Sequence, residues 1–228
     1  MEVNEIFYSL QGEGTLVGTP SYFIRLQGCN LFPESTCRYC DTLYAQDPIG
    51  NEMSIKEVVD KLYDIKPMAS LGRWVCITGG EPLQQESELH NLVSLLKACG
   101  YLVSIETNGT LTRPWWYTKV DSWVADCKTP SSGVGLFMED WLYTRSKDQV
   151  KFVVSNKEDL DFTREVLRRA VQSSPVKLIS PVMGLREGET SYSLDQLDLE
   201  TLANFCTENN CRLSLQLHKL IWGNRRGV

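Results

Sequence analysis

The sequence predicts an α/β fold: an open, partial (β/α) barrel of about six parallel strands, in a single domain of residues 1–228. Short apolar runs typical of strands alternate with amphipathic segments typical of helices. The 228 residues, 42% of them hydrophobic, suffice for one sizeable core. A complete eight-fold barrel takes about 250 residues, so this length favours a barrel that stays open.

Each strand is predicted from a short run of apolar or β-branched residues. The run at 74–78 is the clearest, because it is apolar and ends at Gly79-Gly80, as a buried parallel strand would. The predicted strands lie at 21–26, 74–78, 101–106, 122–127, 149–155, 176–179 and 212–217.

The intervening helices are predicted from apolar residues at helical spacing. At 54–66, Ser54 can cap the helix and Glu57 follows three residues later, which is the pattern of a capping box. Gly100 provides a stop for the next helix. The predicted helices lie at 54–66, 88–99, 157–171 and 195–209.

The loop at 29–40 carries three cysteines, Cys29, Cys37 and Cys40, and no fourth follows nearby. Three thiolates are one ligand short of a structural zinc site and of a fully protein-ligated iron–sulfur cube. They suit a [4Fe–4S] cluster with one open iron, which the amino and carboxylate groups of S-adenosylmethionine could occupy.

Two other interpretations of the cysteines are weaker. A zinc knuckle would need His90 or His218, and both lie far away in sequence. A disulfide scaffold does not suit eight cysteines in 228 residues without an export signal at the start. We therefore expect reduced thiols and a cytoplasmic protein. The other five cysteines are expected to pack as small hydrophobic residues: Cys76, Cys99, Cys127, Cys206 and Cys211.

Composition limits the partners. The formal charge of −6 argues against non-specific binding to the backbone of nucleic acid, which needs a basic surface. The basic residues near the C-terminus, Lys219, Arg225 and Arg226, carry little weight alone. No run of about 20 apolar residues could span a bilayer.

The distinctive motifs all follow predicted strands. In parallel α/β folds the carboxyl ends of the strands meet at one edge, where ligands bind. The motifs that should meet there are Cys29 and residues 78–82, 106–109, 126–128 and 180–184.

These motifs resemble the radical S-adenosylmethionine (radical SAM) superfamily, through the cysteine loop with Tyr39 before its last cysteine and through residues 79–82. The narrower resemblance, over essentially the whole chain, is to the 7-carboxy-7-deazaguanine synthases. It rests on residues 9–14, 23–29, 40–42, 77–82, 105–109, 216–219 and 222–228. One departure is the gap from Cys29 to Cys37, with seven residues instead of the usual three. We expect residues 31–35 to bulge outward.

The resemblance implies a specific reaction. A reduced [4Fe–4S] cluster would cleave S-adenosylmethionine to a 5′-deoxyadenosyl radical, which removes the C6 hydrogen of 6-carboxy-5,6,7,8-tetrahydropterin. Ring contraction and loss of ammonia would then give 7-carboxy-7-deazaguanine. The cofactor supplies the radical, and the protein supplies position and exclusion of water.

The resemblance also implies the site residues. Substrate would contact Leu10, Gln11, Gly12, Glu13, Arg25, Thr78 and His218. The S-adenosylmethionine pocket would comprise Tyr39, Cys40, Asp41, Gly79, Gly80, Glu81, Glu106, Asp126, Cys127, Lys128, Ser180, Pro181, Val182 and Met183.

Several of these residues also have plainer interpretations. Thr42 resembles a ligand of Mg²⁺, but a threonine there could also cap the loop. Arg25 offers a fork for a substrate carboxylate, and its apolar neighbours disfavour a solvent-facing role. Lys128 could be solvated. His218 and Lys219 could simply end a core strand, although the segment at 212–228 is expected near the substrate.

Two alternative functions stay open on the sequence. One is a glycyl-radical-activating enzyme, which the motifs at 11–13 and 40–42 disfavour. The other is a non-catalytic iron–sulfur or zinc protein, which would leave residues 79–82 and Glu106 without a role. The resemblance further implies a homodimer and a flavodoxin or ferredoxin as the electron donor.

Overall fold

The computed structural model describes residues 1–65, 73–170, 172, 174–184, 193–194 and 197–228. Its strands are β1 (Glu2–Leu10), β2 (Pro20–Leu26), β3 (Asn51–Glu52), β4 (Trp74–Gly79), β5 (Leu102–Thr107), β6 (Ser122–Cys127), β7 (Gln149–Val154), β8 (Val176–Pro181), β9 (Met183–Gly184), β10 (Ser193–Leu194) and β11 (Arg212–Leu213). Its helices are α1 (Ile55–Ile65), α2 (Glu86–Ala98), α3 (Lys157–Arg169), α4 (Leu199–Asn209) and α5 (Leu217–Trp222).

One large open sheet dominates the described part of the chain, in the order β11-β8-β7-β6-β5-β4-β2-β1-β3. Every neighbouring pair from β2 to β11 is parallel. β1 and β3 extend the sheet with antiparallel pairing, and β9 and β10 form a separate ribbon. The predicted α/β class and open barrel are confirmed, with seven parallel strands among the described residues instead of about six.

The predicted helices form where local signals place them. At the start of α1 the Glu57 amide donates to Ser54 Oγ at 3.2 Å, and the Ser54 amide donates to the Glu57 carboxylate at 2.7 Å. This is the expected capping box. Asn156 caps α3, and Asp198 caps α4. The predicted residues 66, 171 and 195–196 lie outside the described residues.

Tryptophans fill the space beside β6, where 3-10 turns replace crossover helices. The rings of Trp116, Trp123 and Trp141 follow one another at centroid distances of 5.8 and 5.2 Å. Each indole N–H has an acceptor: Glu86, the Tyr117 carbonyl and the Leu111 carbonyl respectively. Large apolar rings with satisfied polar ends can therefore cover this part of the sheet without a helix.

Two parts of the sequence prediction are wrong or incomplete. The sequence prediction lacks the nine-residue strand β1, whose side chains are mostly half-buried and whose apolar residues are interrupted by Glu2, Asn4, Glu5 and Ser9. The strand predicted at 212–217 ends after Leu213, and His218 and Lys219 lie on α5. The chain leaves the sheet because the Leu217 amide donates to the Gly12 carbonyl at 2.9 Å and starts a helix there.

The core has two parts, one on each side of β6. The first packs α1 and α2 against β2, β4 and β5, and the second packs α3 and α4 against β7 and β8. Neither part of the core covers the carboxyl edge of the parallel strands, so a cavity can form there. Among the described residues, no helix is long and apolar enough to cross a membrane.

Candidate active site

A cavity of about 640 Å³ lies at the carboxyl edge of the parallel strands. The cysteine loop, the ends of β4, β5, β6 and β8, helix α5 and the C-terminal segment line it. The predicted site residues that line it are Leu10, Gln11, Gly12, Glu13, Arg25, Cys29, Cys37, Tyr39, Cys40, Asp41, Thr42, Thr78, Gly79, Gly80, Glu106, Asp126, Lys128, Ser180, Pro181, Val182, Met183 and His218. The fold therefore gathers into one cavity all but two of the residues expected there.

The two exceptions are Glu81 and Cys127, whose side chains do not line the cavity. Cys127 is buried in the second core cluster beside Phe152. Glu81 is fully buried and accepts from the Leu83 amide, the Thr107 hydroxyl and the Asn108 amide at 2.9, 2.8 and 2.6 Å. The side chain of Cys127 packs in the core, and that of Glu81 links the ends of β4 and β5.

Cys29, Cys37 and Cys40 are free, partly buried thiols that face the same cavity. Burial raises the pKa of each thiol; neighbouring cysteines add to that effect for Cys29 and Cys37, and the Asp41 carboxylate adds to it for Cys40. Within the described part of the chain, no three His, Cys, Asp or Glu side chains are close enough to hold one metal ion. A cube-shaped cluster binds each thiolate at a different iron, and the three cysteines that line the cavity supply ligands for three irons. Residues 32–35 are exposed, as expected for the insertion, whereas Leu31 is buried.

Gly79 and Gly80 bring the ends of β2 and β4 into contact. Gly79 has φ = +139°, and a Cβ there would lie 2.1 Å from the Leu26 carbonyl oxygen. A Cβ on Gly80 would lie 2.0 Å from the Gly28 carbonyl oxygen. Only glycine permits this approach, which places the cysteine loop directly over the end of β4.

Glu106 joins two of the predicted substrate-binding residues. Its Oε1 accepts from Gln11 Nε2 and its Oε2 accepts from Thr78 Oγ1, both at 3.0 Å. A ring bound beside them would meet an amide oxygen, a hydroxyl and a carboxylate held in fixed positions.

His218 packs against the backbone of Gly12, where a Cβ would lie only 2.0 Å from His218 Nδ1. Burial lowers the pKa of His218, although the carboxylates of Glu13, Asp41 and Glu106 act in the opposite direction. A neutral imidazole offers one donor and one acceptor to a bound ring.

A chain of alternating charges crosses the floor of the cavity. Lys151 Nζ lies 2.8 Å from Glu13 Oε2 and 3.2 Å from Asp126 Oδ1, and Lys128 Nζ lies 2.9 Å from Asp126 Oδ2. Burial opposes the charge on Lys151, but the carboxylates of Asp126 and Glu13 outweigh it and raise its pKa. For Glu13, burial raises the pKa, yet the Lys151 ammonium leaves it below the usual value. All four groups are therefore held in their charged forms.

Arg25 is already paired with a carboxylate of the protein itself. Its Nε donates to Glu5 Oε1 at 2.8 Å, and its guanidinium lies 5.8 Å from the centre of the Tyr44 ring. Glu5 and Arg25 face each other directly in the pairing of β1 with β2. A substrate carboxylate is therefore not required to balance this charge, but Arg25 does line the cavity.

Asp41 binds both helix α5 and the hydroxyl of Thr42. Asp41 Oδ2 lies 2.6 Å from Lys219 Nζ and accepts from Gln216 Nε2 at 3.3 Å, and Asp41 Oδ1 accepts from Thr42 Oγ1 at 3.0 Å. Burial would raise the pKa of Asp41, but the Lys219 ammonium lowers it well below its usual range. Lys219 also donates to the Met183 carbonyl at 3.3 Å, so α5 joins two walls of the cavity.

Polar cavity residues for which the sequence provided no expected contact include Glu5, Tyr44, Lys151, Lys219 and Arg226. For Lys151 a usable signal existed, because it interrupts the otherwise apolar run of β7, as Arg25 does in β2. The other four become cavity residues only through pairing that is distant in sequence.

Comparison with known proteins identifies the class. Residues 23–189 match the model of the Radical SAM superfamily, so the chain belongs to that superfamily. The crystal structure of QueE from Escherichia coli superposes with a TM-score of 0.69 at 26% identity, over 95% of this chain and 94% of that one. A radical SAM methyltransferase from Sphaerobacter thermophilus shares the fold, with a TM-score of 0.57 at 10% identity over 86% of this chain and 66% of that one.

Curated relatives identify the family more narrowly. The 7-carboxy-7-deazaguanine synthase of Methanospirillum hungatei is 40% identical over 97% of this chain and 85% of that protein. The enzyme of the same name from Koribacter versatilis is 36% identical over 97% of both. The chain belongs to the 7-carboxy-7-deazaguanine synthase family and is a radical SAM enzyme. The glycyl-radical-activating and non-catalytic alternatives are not favoured.

Replacing Glu81 with alanine is expected to loosen the strand ends. The three buried donors would lose their acceptor, which costs about 2 kcal/mol or more in the free energy of unfolding. Thr107→Val removes one of the three donors and should cost about 1 kcal/mol. Urea unfolding measures both. Equal stability of Glu81→Ala and the parent would contradict the positioning role.

Replacing Lys151 with methionine is expected to shift the acidic limb of the kcat/KM profile to higher pH. Without the ammonium, burial governs Glu13, so its pKa rises and the carboxylate is protonated at a higher pH. Turnover should fall by about tenfold or more. Lys151→Arg keeps the charge and should retain the parent's limb. A limb that stays in place in Lys151→Met would show that Lys151 does not set the charge of Glu13.

Proposed function

We propose that this chain converts 6-carboxy-5,6,7,8-tetrahydropterin into 7-carboxy-7-deazaguanine, with release of ammonia. The observation that supports this most directly is the single cavity, which brings the three cysteines of the loop within the same walls as Gln11, Glu13, Arg25 and Thr78. When bound, a [4Fe–4S] cluster and S-adenosylmethionine supply a 5′-deoxyadenosyl radical for hydrogen abstraction. The protein's part is to hold and orient the reactants.

The cofactor side of the cavity is formed by backbone and paired charges. Cys29, Cys37 and Cys40 would each hold one iron. Residues 180–183 would form a wall against the adenosyl group, with Gly80 at the methionine end. Lys128 would face the carboxylate of the methionine group, although the Lys128 ammonium already pairs with Asp126.

The substrate side offers matched polar groups. Gln11 and Glu13 can read the donors and acceptors at the edge of a pterin, and Thr78 and His218 add a hydroxyl and an imidazole. Glu13 keeps its charge through Lys151 and Gln216, which both bind it at 2.8 Å. These contacts fix Glu13 before a substrate arrives, so binding need not order it.

Other parts of the proposal rest on the family resemblance. They are a requirement for Mg²⁺, a homodimer, a flavodoxin or ferredoxin as electron donor, and a cytoplasmic location. The decisive test of the function is anaerobic incubation of reconstituted protein with dithionite, S-adenosylmethionine and the carboxylated pterin. We expect the deazapurine product by mass spectrometry, and its absence from a fully reconstituted sample would refute the proposal.

Replacing Cys29, Cys37 or Cys40 with alanine is expected to abolish the brown chromophore or leave a three-iron cluster, because a ligand of one iron is removed. Iron content and the visible spectrum measure this without reference to activity. Cys99→Ala is the matched control, since Cys99 lies at the end of α2 away from the cavity. A normal four-iron spectrum in Cys29→Ala would refute the ligand assignment.

Arg25→Lys is expected to raise the KM for the carboxylated pterin by about tenfold, because lysine keeps the charge but loses the planar fork. Binding of S-adenosylmethionine, measured by calorimetry, should be much less affected. Parent-like values for both ligands would mean that Arg25 only pairs with Glu5.

Thr42→Ala is expected to raise the Mg²⁺ concentration needed for half-maximal rate. A single hydroxyl is a poor Mg²⁺ site, so the ion should bind appreciably only with the oxygens of the carboxylated substrate. The iron content should stay at the parent level. Product formation that is insensitive to chelation of Mg²⁺ would refute this role and leave Thr42 as a partner of Asp41.

A further inference from the structure

The segment at 223–228 returns to the mouth of the cavity and brings Arg226 to a defined position. The Arg226 guanidinium lies 3.6 Å from the centre of the Tyr44 ring, and its Nη2 donates to Asn4 Oδ1 at 3.1 Å. Planar stacking together with a hydrogen bond fixes the orientation of a guanidinium more firmly than a point charge. Arg226 is therefore held in place although about half of its side chain is exposed.

Arg226 and Arg25 share one counter-ion. Glu5 Oε1 accepts from Arg25 Nε at 2.8 Å, and Glu5 Oε2 lies 3.8 Å from Arg226 Nη2. The Tyr44 hydroxyl adds a bond to Glu5 Oε1 at 3.4 Å. Two guanidinium groups thus stand within ion-pair distance of one carboxylate and on the same aromatic ring.

The neighbouring acids have other partners. Asp41 pairs with Lys219, and Glu106 accepts from Gln11 and Thr78. Because Arg25 and Glu5 are only 16% and 17% exposed, water screens this corner weakly. The corner holds two guanidinium groups and two carboxylates, those of Glu5 and Glu106, so an anion that enters it is held by directed N–H donors and not by an excess of positive charge.

The remaining donors suit a carboxylate. Arg25 uses Nε for Glu5, and its terminal nitrogens make no hydrogen bond to the described residues. An end-on pair of N–H groups matches the two oxygens of a carboxylate. The Arg226 guanidinium lies on the same Tyr44 ring as that of Arg25, so it can add a second positive group near a carboxylate that Arg25 binds.

We propose that Arg226 acts with Arg25 as the pair that selects a carboxylated heterocycle over its uncarboxylated analogue, with Tyr44 as their platform and Glu5 as their shared counter-ion. This rests on the proposed function and deepens it, since it names the specificity-determining residue that the C-terminal segment contributes. It also explains why that segment forms part of the cavity.

The test compares two ligands that differ only in the carboxylate. Fluorescence titration with pterin-6-carboxylate and with pterin, on reconstituted protein containing S-adenosylmethionine, gives two dissociation constants and their ratio. Arg226→Gln should reduce the preference for pterin-6-carboxylate by about tenfold, and Arg226→Lys by less. The control is Arg212→Gln, because Arg212 is exposed and is not among the residues that line the cavity; its ratio should change less than twofold.

The outcomes separate the two proposals. If Arg226→Gln weakens both ligands equally, or leaves the ratio unchanged, Arg226 is structural and this inference is wrong. Product formation by the parent tests the proposed function independently of that ratio. If the parent makes no product, the function fails, while a carboxylate preference that disappears in Arg226→Gln still supports the inference. A parent without any such preference overturns the inference.

Discussion

The cavity depends on one buried carboxylate, that of Glu81, at the meeting point of three strand ends. Burial of an unpaired carboxylate is costly, and here three donors from the ends of β4 and β5 offset the cost. The balance is close, because burial raises the pKa of Glu81 to about 7 against those hydrogen bonds. On the other side, Gly79 and Gly80 let β4 approach β2 without a clash. The ends of β2, β4 and β5 are therefore held together at one place, and this positions both the cysteine loop and the residues after β5.

On this fixed edge, the charged residues are ordered before any ligand binds. Glu13, Lys151, Asp126 and Lys128 alternate in sign, so each charge has an opposite neighbour within about 3 Å. In a site of low dielectric, such pairs hold side chains in one arrangement and lower the reorganisation needed on binding. The chain of charges runs from the substrate side to the cofactor side. A substitution of Lys151 should therefore affect both the substrate side and the cofactor side of the cavity.

The sequence could predict what local pattern determines. Most strand ends, the capping box at Ser54 and the cysteine loop are local, and the structure reproduces them; the strand predicted at 212–217, which ends after Leu213, is the exception. The direction of Cys127 could also have been foreseen, because Asp126 and Lys128 both face the cavity and side chains alternate along a strand. The ion pair of Arg25 could not be foreseen while β1 was missing, since Glu5 is opposite it only in that register. The apolar run of β7 marks Lys151 as unusual, but its partners Glu13 and Asp126 lie on other segments, and no local signal identifies them.

The wall formed by α5 and the segment at 223–228 is the part of the cavity that local sequence patterns predict least well. Helix α5 is held by the carbonyl of Gly12, and Lys219 on it binds both Asp41 and the Met183 carbonyl. Lys219 is buried there, which is tolerable only with an anionic partner. Beyond α5, Arg226 meets the residues of β1. Segments near the two ends of the described chain thus complete one corner of the site. These contacts join residues that are far apart in sequence, so the site can form only when the entire sheet and α5 are in place. We therefore expect the site to assemble in the same cooperative transition as the fold.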